Sequence, residues 1–274
     1  IPVDTEGVTM KRRATFNHQP ASHIDFAAVE VNPAHRLGAG HADPVAWLID
    51  RAKRKKGPEA VKLYRSALAA VRDLDQVDTV ANALKELGDK VDLASYLGFF
   101  TEWWLIGPFD NTEQKGFDVV YPPERTVDLK AEYAGKPGTV RWTLVQTSDA
   151  HGVVDLNRAF DKHKGAITYA GAEFASGVET PAELRWGSIN ATKVWWNGQL
   201  VGANEVYHTA MAPDQYRGRV CVVKGRNTVL VKVCQNEQTE TWAQRWEFQV
   251  RLTDTLGGAL PGKRGASVDL PGER

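Results

Sequence analysis

The chain has 274 residues, 42% hydrophobic and 25% charged, with 34 lysines and arginines balancing 34 aspartates and glutamates. That balance lacks the basic surplus of most duplex-binding proteins, so no nucleic-acid partner and no pull toward an anionic membrane are expected. The length suits one sizeable domain plus a smaller element, and nine tryptophans suit either a heavy aromatic core or stacking on sugars.

Residues 1–43 show neither helical nor strand periodicity and read as an extended N-terminal arm. His23, His35 and His41 fall in it at a spacing that matches no zinc pattern, which favours solvated loop histidines over a metal site. No signal peptide is in view at Ile1, so either processing has removed one or the sequence starts downstream of it.

A short helical segment follows over residues 44–98. Asp43-Pro44 supplies an N-cap and a first-turn proline, and Val45, Leu48, Ile49 and Ala52 form an apolar stripe. The basic run Arg51, Lys53, Arg54, Lys55 and Lys56 complements the helix dipole at its C-terminal end. Gly57-Pro58 restarts the chain for a second helix with Val61, Tyr64, Leu68 and Val71. A third carries Val77, Val80, Leu84 and Leu87 and closes at Gly88. Together they have the form of a HEAT- or TPR-like remnant, too short to make a solenoid alone.

Residues 99–256 read as a β-sandwich. The aromatic stretch Tyr96 to Phe109 enters it and is too short to span a bilayer. Val140, Trp142 and Leu144 alternate with Arg141 and Thr143 as a half-buried strand. Asn197-Gly198 between apolar arms predicts a two-residue hairpin turn pairing Trp196 with Gln199, Trp195 with Leu200 and Val194 with Val201. Gly225-Arg226 predicts a second hairpin that pairs Val222 with Val229 and Val220 with Val231.

Parity then sorts the faces. With Lys232 and Lys193 set toward water, Val194, Trp196, Val222, Val229, Val231 and Val233 point inward and Trp195 outward. Trp246, Phe248, Val250 and Leu252 likewise face a core, with Arg245, Glu247, Gln249 and Arg251 outside. Cys221 and Cys234 share the outward face, about 13 Å apart along the strands, too far for a disulfide. Residues 257–274 again lack a period and read as a C-terminal arm.

The segments V-W-W-N-G-Q-L-V and V-K-G-R-N-T-V-L-V-K-V resemble the galactose-binding-like jelly roll. With the W-x-x-x-G-P-F-D-N of Trp103–Asn111 and the Y-P-P-E of Tyr121–Glu124, residues 44–256 are similar to large planctomycete-type envelope proteins in which helical repeats precede such a sandwich. The resemblance implies a mainly β fold and a periplasmic or extracellular setting. It also implies a structural calcium, for which the loop residues Asp110, Asn111, Asp149, Asp155 and Asn157 offer oxygen ligands, although turn formation is the favoured account of them.

No G-x-S-x-G, P-loop, H-E-x-x-H or dinucleotide motif is present, so the expectation is a protein that is not an enzyme. The leading reading is a structural docking subunit of an envelope assembly, contacting other protein subunits through both arms. The alternative is a carbohydrate-binding module. Its ligand residues would be Trp195, Tyr207, Tyr216 and Trp242 for stacking, with His208, Asp214 and Gln215 for hydroxyls. A glycoside-active enzyme stands third.

Overall fold

In a computed structural model, the described residues are 8–14, 20–26, 43–71 and 73–267. They belong to two compact units, Ile1–Val71 and Arg72–Arg274. In the first, strands β1 (Val8–Ala14) and β2 (Pro20–Phe26) pair antiparallel. Regular structure therefore forms inside the stretch read as a patternless arm. The side chain of His23, and all of His35 and His41, lie outside the described residues. Helix α1 (Pro44–Lys53) is capped by Asp43 as the sequence requires, its carboxylate accepting from the N–H groups of Val45 and Ala46. Helix α2 (Gly57–Ala70) packs on α1 and buries Ala60, Tyr64, Ala67 and Leu68.

The second unit begins with α3 (Leu74–Glu86) and α4 (Leu93–Leu97), N-capped by Asp73 and Asp92. Strand β3 (Glu102–Asp110) follows, then a 3-10 turn (Thr112–Phe117) and α5 (Pro122–Arg125). A small hairpin of β4 (Glu132–Gly135) and β5 (Gly138–Arg141) precedes β6 (Thr143–Gln146), β7 (Val154–Asp155) and α6 (Leu156–Phe160). The long strands come last: β8 (Ala166–Ser176), β9 (Thr180–Ser188), β10 (Ala191–Trp196), β11 (Gln199–Asn204), β12 (Tyr216–Val222), β13 (Gly225–Gln235), β14 (Glu247–Thr253) and β15 (Lys263–Gly265).

Two sheets carry the unit. The larger has seven strands in the order β11-β10-β13-β8-β3-β6, with β15 also pairing β8; the smaller runs β12-β9-β14-β7. One core lies between them, drawing Trp103, Leu105, Val194, Trp196 and Val231 from the larger sheet and Leu184, Trp186, Phe248, Val250 and Leu252 from the smaller.

The fold class expected from sequence, a small helical segment followed by a jelly-roll sandwich, is corrected. The structure is mixed α/β: helical turns are interleaved with the strands after β3, β7 and β13 as well as preceding them, and among the described residues no sheet closes into a barrel. Among the described residues no helix is long and apolar enough to cross a membrane.

The first hairpin forms as its turn dictates, with Asn197 at φ 48° and Gly198 at φ 77°. Trp196 pairs with Gln199 and Trp195 with Leu200, but a bulge then sets Val194 opposite Gly202 instead of Val201. The second expected hairpin does not form. Strand β12 pairs with β9 in the smaller sheet while β13 runs between β10 and β8 in the larger, so Gly225-Arg226 sits where the chain crosses from one sheet to the other. Cys221 and Cys234 consequently stand on different sheets, both free.

Inward parity holds: Val194, Trp196, Val222, Val231, Trp246 and Phe248 are all buried. Of the outward assignments Trp195 and Arg245 hold, but Lys232, Glu247, Gln249 and Arg251 are buried as well. Alternation placed these side chains on the far face of each sheet, and other parts of the chain cover that face. The stretch read as a C-terminal arm contributes to this at the smaller sheet, where the Gly257 carbonyl accepts from Arg251 at 3.4 Å, and further on its strand β15 pairs with β8.

Phe248 is fully buried edge-on to Trp103, with ring centroids 5.1 Å apart. Phe248→Ala is expected to cost about 3–5 kcal/mol in urea unfolding. Trp242, 60% exposed, is expected to change stability by no more than about 0.5 kcal/mol when replaced by Ala. Equal losses for the two would contradict this core.

Candidate functional site

The outer face of the larger sheet is built in rows, one residue from each strand. Ala191, Cys234, Ile167 and Phe109 form one row, and Lys193, Lys232, Tyr169 and Ile106 the next. Residues 111–125 lie across both. Phe117 and Tyr121 pack there, with the Tyr121 ring 4.9 Å from Phe109. Under this strap the Lys232 ammonium is fully buried. It donates to the carbonyls of Phe117 (2.8 Å) and Val119 (2.7 Å) and to the Glu124 carboxylate at 2.9 Å. Tyr169 donates its hydroxyl to the same carboxylate, and burial pushes that phenol far above its ordinary value. Beside them, burial raises the Cys234 thiol to about 12, so it stays protonated and unreactive.

The third row is covered only in part. Leu200 pairs with Trp195, Trp195 with Leu230, Leu230 with Gly171, Gly171 with Trp104 and Trp104 with Leu144. Trp195, Leu230, Gly171 and Trp104 floor a cavity of about 280 Å³. Pro123, Glu124, Arg125, Val127 and Leu129 wall it on the strap side, and Glu173 and Thr228 line it too. Gly171 deepens the floor: a methyl there would meet only the Trp142 ring, at 3.8 Å. Arg125 is exposed and has no ion-pair partner among the described residues, whereas Glu124 is held by Lys232, and Glu173 lies 3.7 Å from Arg226. Of three larger depressions, two of about 560 and 730 Å³ border residues 145–150 and hold no aromatic ring, and one of about 510 Å³ between the β10–β11 hairpin and β12 is lined by Trp196, which is itself buried in the core.

Of the residues expected to bind ligand, Trp195 lines this cavity and the others do not. His208 stands edge-on to Trp242 at 5.2 Å and bonds Asn236 through Nε2, with Oδ1 at 2.6 Å. The Tyr207 hydroxyl accepts from Asn111 at 3.2 Å, and burial raises that phenol. Gln215 accepts from the Ser188 N–H, and Tyr216 lies beside Trp186. Asp214 is a structural anchor. It accepts from Arg251 Nε (2.6 Å) and Nη2 (2.5 Å) and from Arg185 Nη1 at 2.7 Å.

The five loop residues offered as calcium ligands each serve a local bond. Asp110 accepts from Thr112 and Lys136, and Asn111 donates to the Gln235 carbonyl. Asp149 caps the turn at His151 and Val153, Asp155 caps α6, and Asn157 donates to Gln244. No group of three or more His, Cys, Asp or Glu side chains among the described residues is arranged to hold a metal. Sequence reading missed Trp104, Gly171 and the Arg125–Leu129 wall. The signal for Trp104 was available: two adjacent tryptophans in one strand must face opposite ways.

No protein-family model matches the chain, and neither does any curated protein. Among solved structures it is similar to an anti-sigma factor domain-containing protein (9% identity, 57% of this chain and 43% of that one, TM-score 0.34). It is also similar to a β-glucosidase from Kluyveromyces marxianus in complex with glucose (14%, 56% and 16%, TM-score 0.35). A β-glucuronidase from Ruminococcus gnavus gives 11% identity, 57% and 29% coverage and a TM-score of 0.31. The chain spans less than half the length of each, and likenesses this distant carry no argument about activity.

The family expectation is corrected by the architecture: helices are interleaved with the strands, where the anticipated family would have a helical segment followed by a pure jelly-roll sandwich. The reading as a non-catalytic docking subunit, and with it the exclusion of an enzyme, is likewise set aside. The docking reading provided for no ligand cavity, and the outer face of the larger sheet carries one floored by two indoles.

Two charge clusters give predictions. Lys232→Met leaves the Glu124 carboxylate, whose side chain is only 10% exposed, without its counterion, an expected loss of about 3–5 kcal/mol. Adding Glu124→Gln should recover much of it, and a double variant as unstable as the single would refute the pairing. For Asp214, burial raises the carboxyl, but Arg251 and Arg185 outweigh burial and hold it below the usual carboxylate range. The unfolded chain therefore takes up this proton first as pH falls. The stabilisation is complete above about pH 4 and fades as pH drops through the folded value. Urea unfolding from pH 7 to 2 should show Asp214→Asn far less stable than the parent at pH 7, with the gap closing below pH 4.

Proposed function

We propose that this chain binds carbohydrate, with the cavity between the strap and the third row of the larger sheet as its sugar site. What carries the reading is the composition of that cavity: two indoles, Trp104 and Trp195, over an apolar floor of Leu230 and Gly171, beside an unpaired guanidinium, Arg125, and the hydroxyl of Thr228. Pyranose rings present C–H faces that stack on indole and a ring of hydroxyls that need donors and acceptors at the edge. A small number of polar groups around an aromatic floor is how such ligands are oriented. A periplasmic or extracellular setting, where glycans abound, is part of the same proposal.

Affinity electrophoresis through gels containing soluble polysaccharides tests it. Retardation by at least one polysaccharide is expected, with Trp195→Ala weakening it about tenfold or more, equivalent to roughly 1.4 kcal/mol. Circular dichroism should be unchanged. Undiminished retardation in both Trp195→Ala and Trp104→Ala would place the sugar elsewhere. Release of reducing ends in the same mixtures would extend the site to glycoside cleavage, with Glu124 and Glu173 as the carboxylates to replace.

A further inference from the structure

Resting on that reading, we infer that the site takes the interior of a linear oligosaccharide, laid across the strands, rather than a single sugar or a chain end. The row Leu200, Trp195, Leu230, Gly171, Trp104, Leu144 crosses the sheet from the β11 end of its strand order to the β6 end. Trp195 and Trp104 are three strand spacings apart, about 14 Å at 4.8 Å per strand. One pyranose ring cannot stack on both, so filling both indoles takes several sugars in line. The units between them pass over Leu230 and alongside Gly171, where the missing side chain makes room next to the Trp142 ring.

Both ends of the row are open. Leu200 is 56% and Leu144 55% exposed, and among the described residues no further strand stands beyond either. A site built to grip a terminus needs a wall at one end, and among the described residues this row has none. An extended peptide fits the face less well. Its backbone brings a donor and an acceptor at each residue, while β13 and β8 already have their backbone groups paired on both sides by neighbouring strands. Sugar C–H faces ask for no such partners.

Calorimetry with β-1,4-linked oligomers of glucose, xylose and mannose, one to six units long, decides the matter. In the series that binds, affinity should rise by at least tenfold between one and four units and then level off. Trp195→Ala and Trp104→Ala should each remove most of that gain while leaving the weak binding of short oligomers. Gly171→Ala, which adds a methyl without a clash, should weaken four-unit ligands more than two-unit ligands. Affinity independent of length, or lost when the non-reducing end is chemically blocked, would overturn the interior-binding mode while leaving a sugar site in place. No binding across all three series, together with binding of an extended peptide, would overturn the carbohydrate reading itself.

Discussion

The buried ammonium of Lys232 organises the second unit. A lysine in the interior of a sheet is tolerable only if its charge is met, and here one carboxylate and two carbonyls from residues 117–124 meet it. Those partners all belong to the strap, so satisfying the charge fixes the strap on the sheet. The strap in turn buries Tyr169, Cys234 and Ile167, and its far edge makes one wall of the aromatic cavity. Fold and candidate site thus share a single electrostatic requirement.

The smaller sheet uses the same device on its outer face. Arg251, nearly inaccessible, is met by Asp214 from the loop before β12 and donates to the carbonyls of Leu97 and Gly257. Arg185 joins through Asp214 and Glu183. These ion pairs need not add net stability over an apolar alternative, since desolvation offsets much of the attraction. What they supply is geometry. A guanidinium with several donors of fixed direction holds the end of α4, the 214 loop and the 257 turn in one arrangement.

Two consequences follow for the site. The cavity floor belongs to the inner strands of a sheet whose opposite face is a close-packed core, so Trp104 and Trp195 have little freedom to move apart. The strap wall is held chiefly through Glu124 and the rings of Phe117 and Tyr121. A rigid floor with a tethered wall suits recognition, because little ordering remains to be done when a ligand arrives.

Local chemistry is what the sequence by itself determined. The helix cap at Asp43, the Asn197-Gly198 turn and the inward parity of Val194, Trp196, Val231, Trp246 and Phe248 all depend on groups within a few residues of one another. The outward position of Trp195 followed from the same alternation. Tertiary structure alone decided what covers each face. Alternation says that Lys232 and Arg251 oppose the core, yet it is silent on whether water or another segment lies beyond them. Likewise the turn at Gly225-Arg226 is locally a hairpin signal, but β12 and β13 find better partners in different sheets, a choice settled by residues forty positions away. Trp104 entered the site for the same reason: only the packing of β3 beside β8 brings it into the row that starts at Trp195. Side-chain direction is a property of the strand, whereas burial is a property of everything the strand meets.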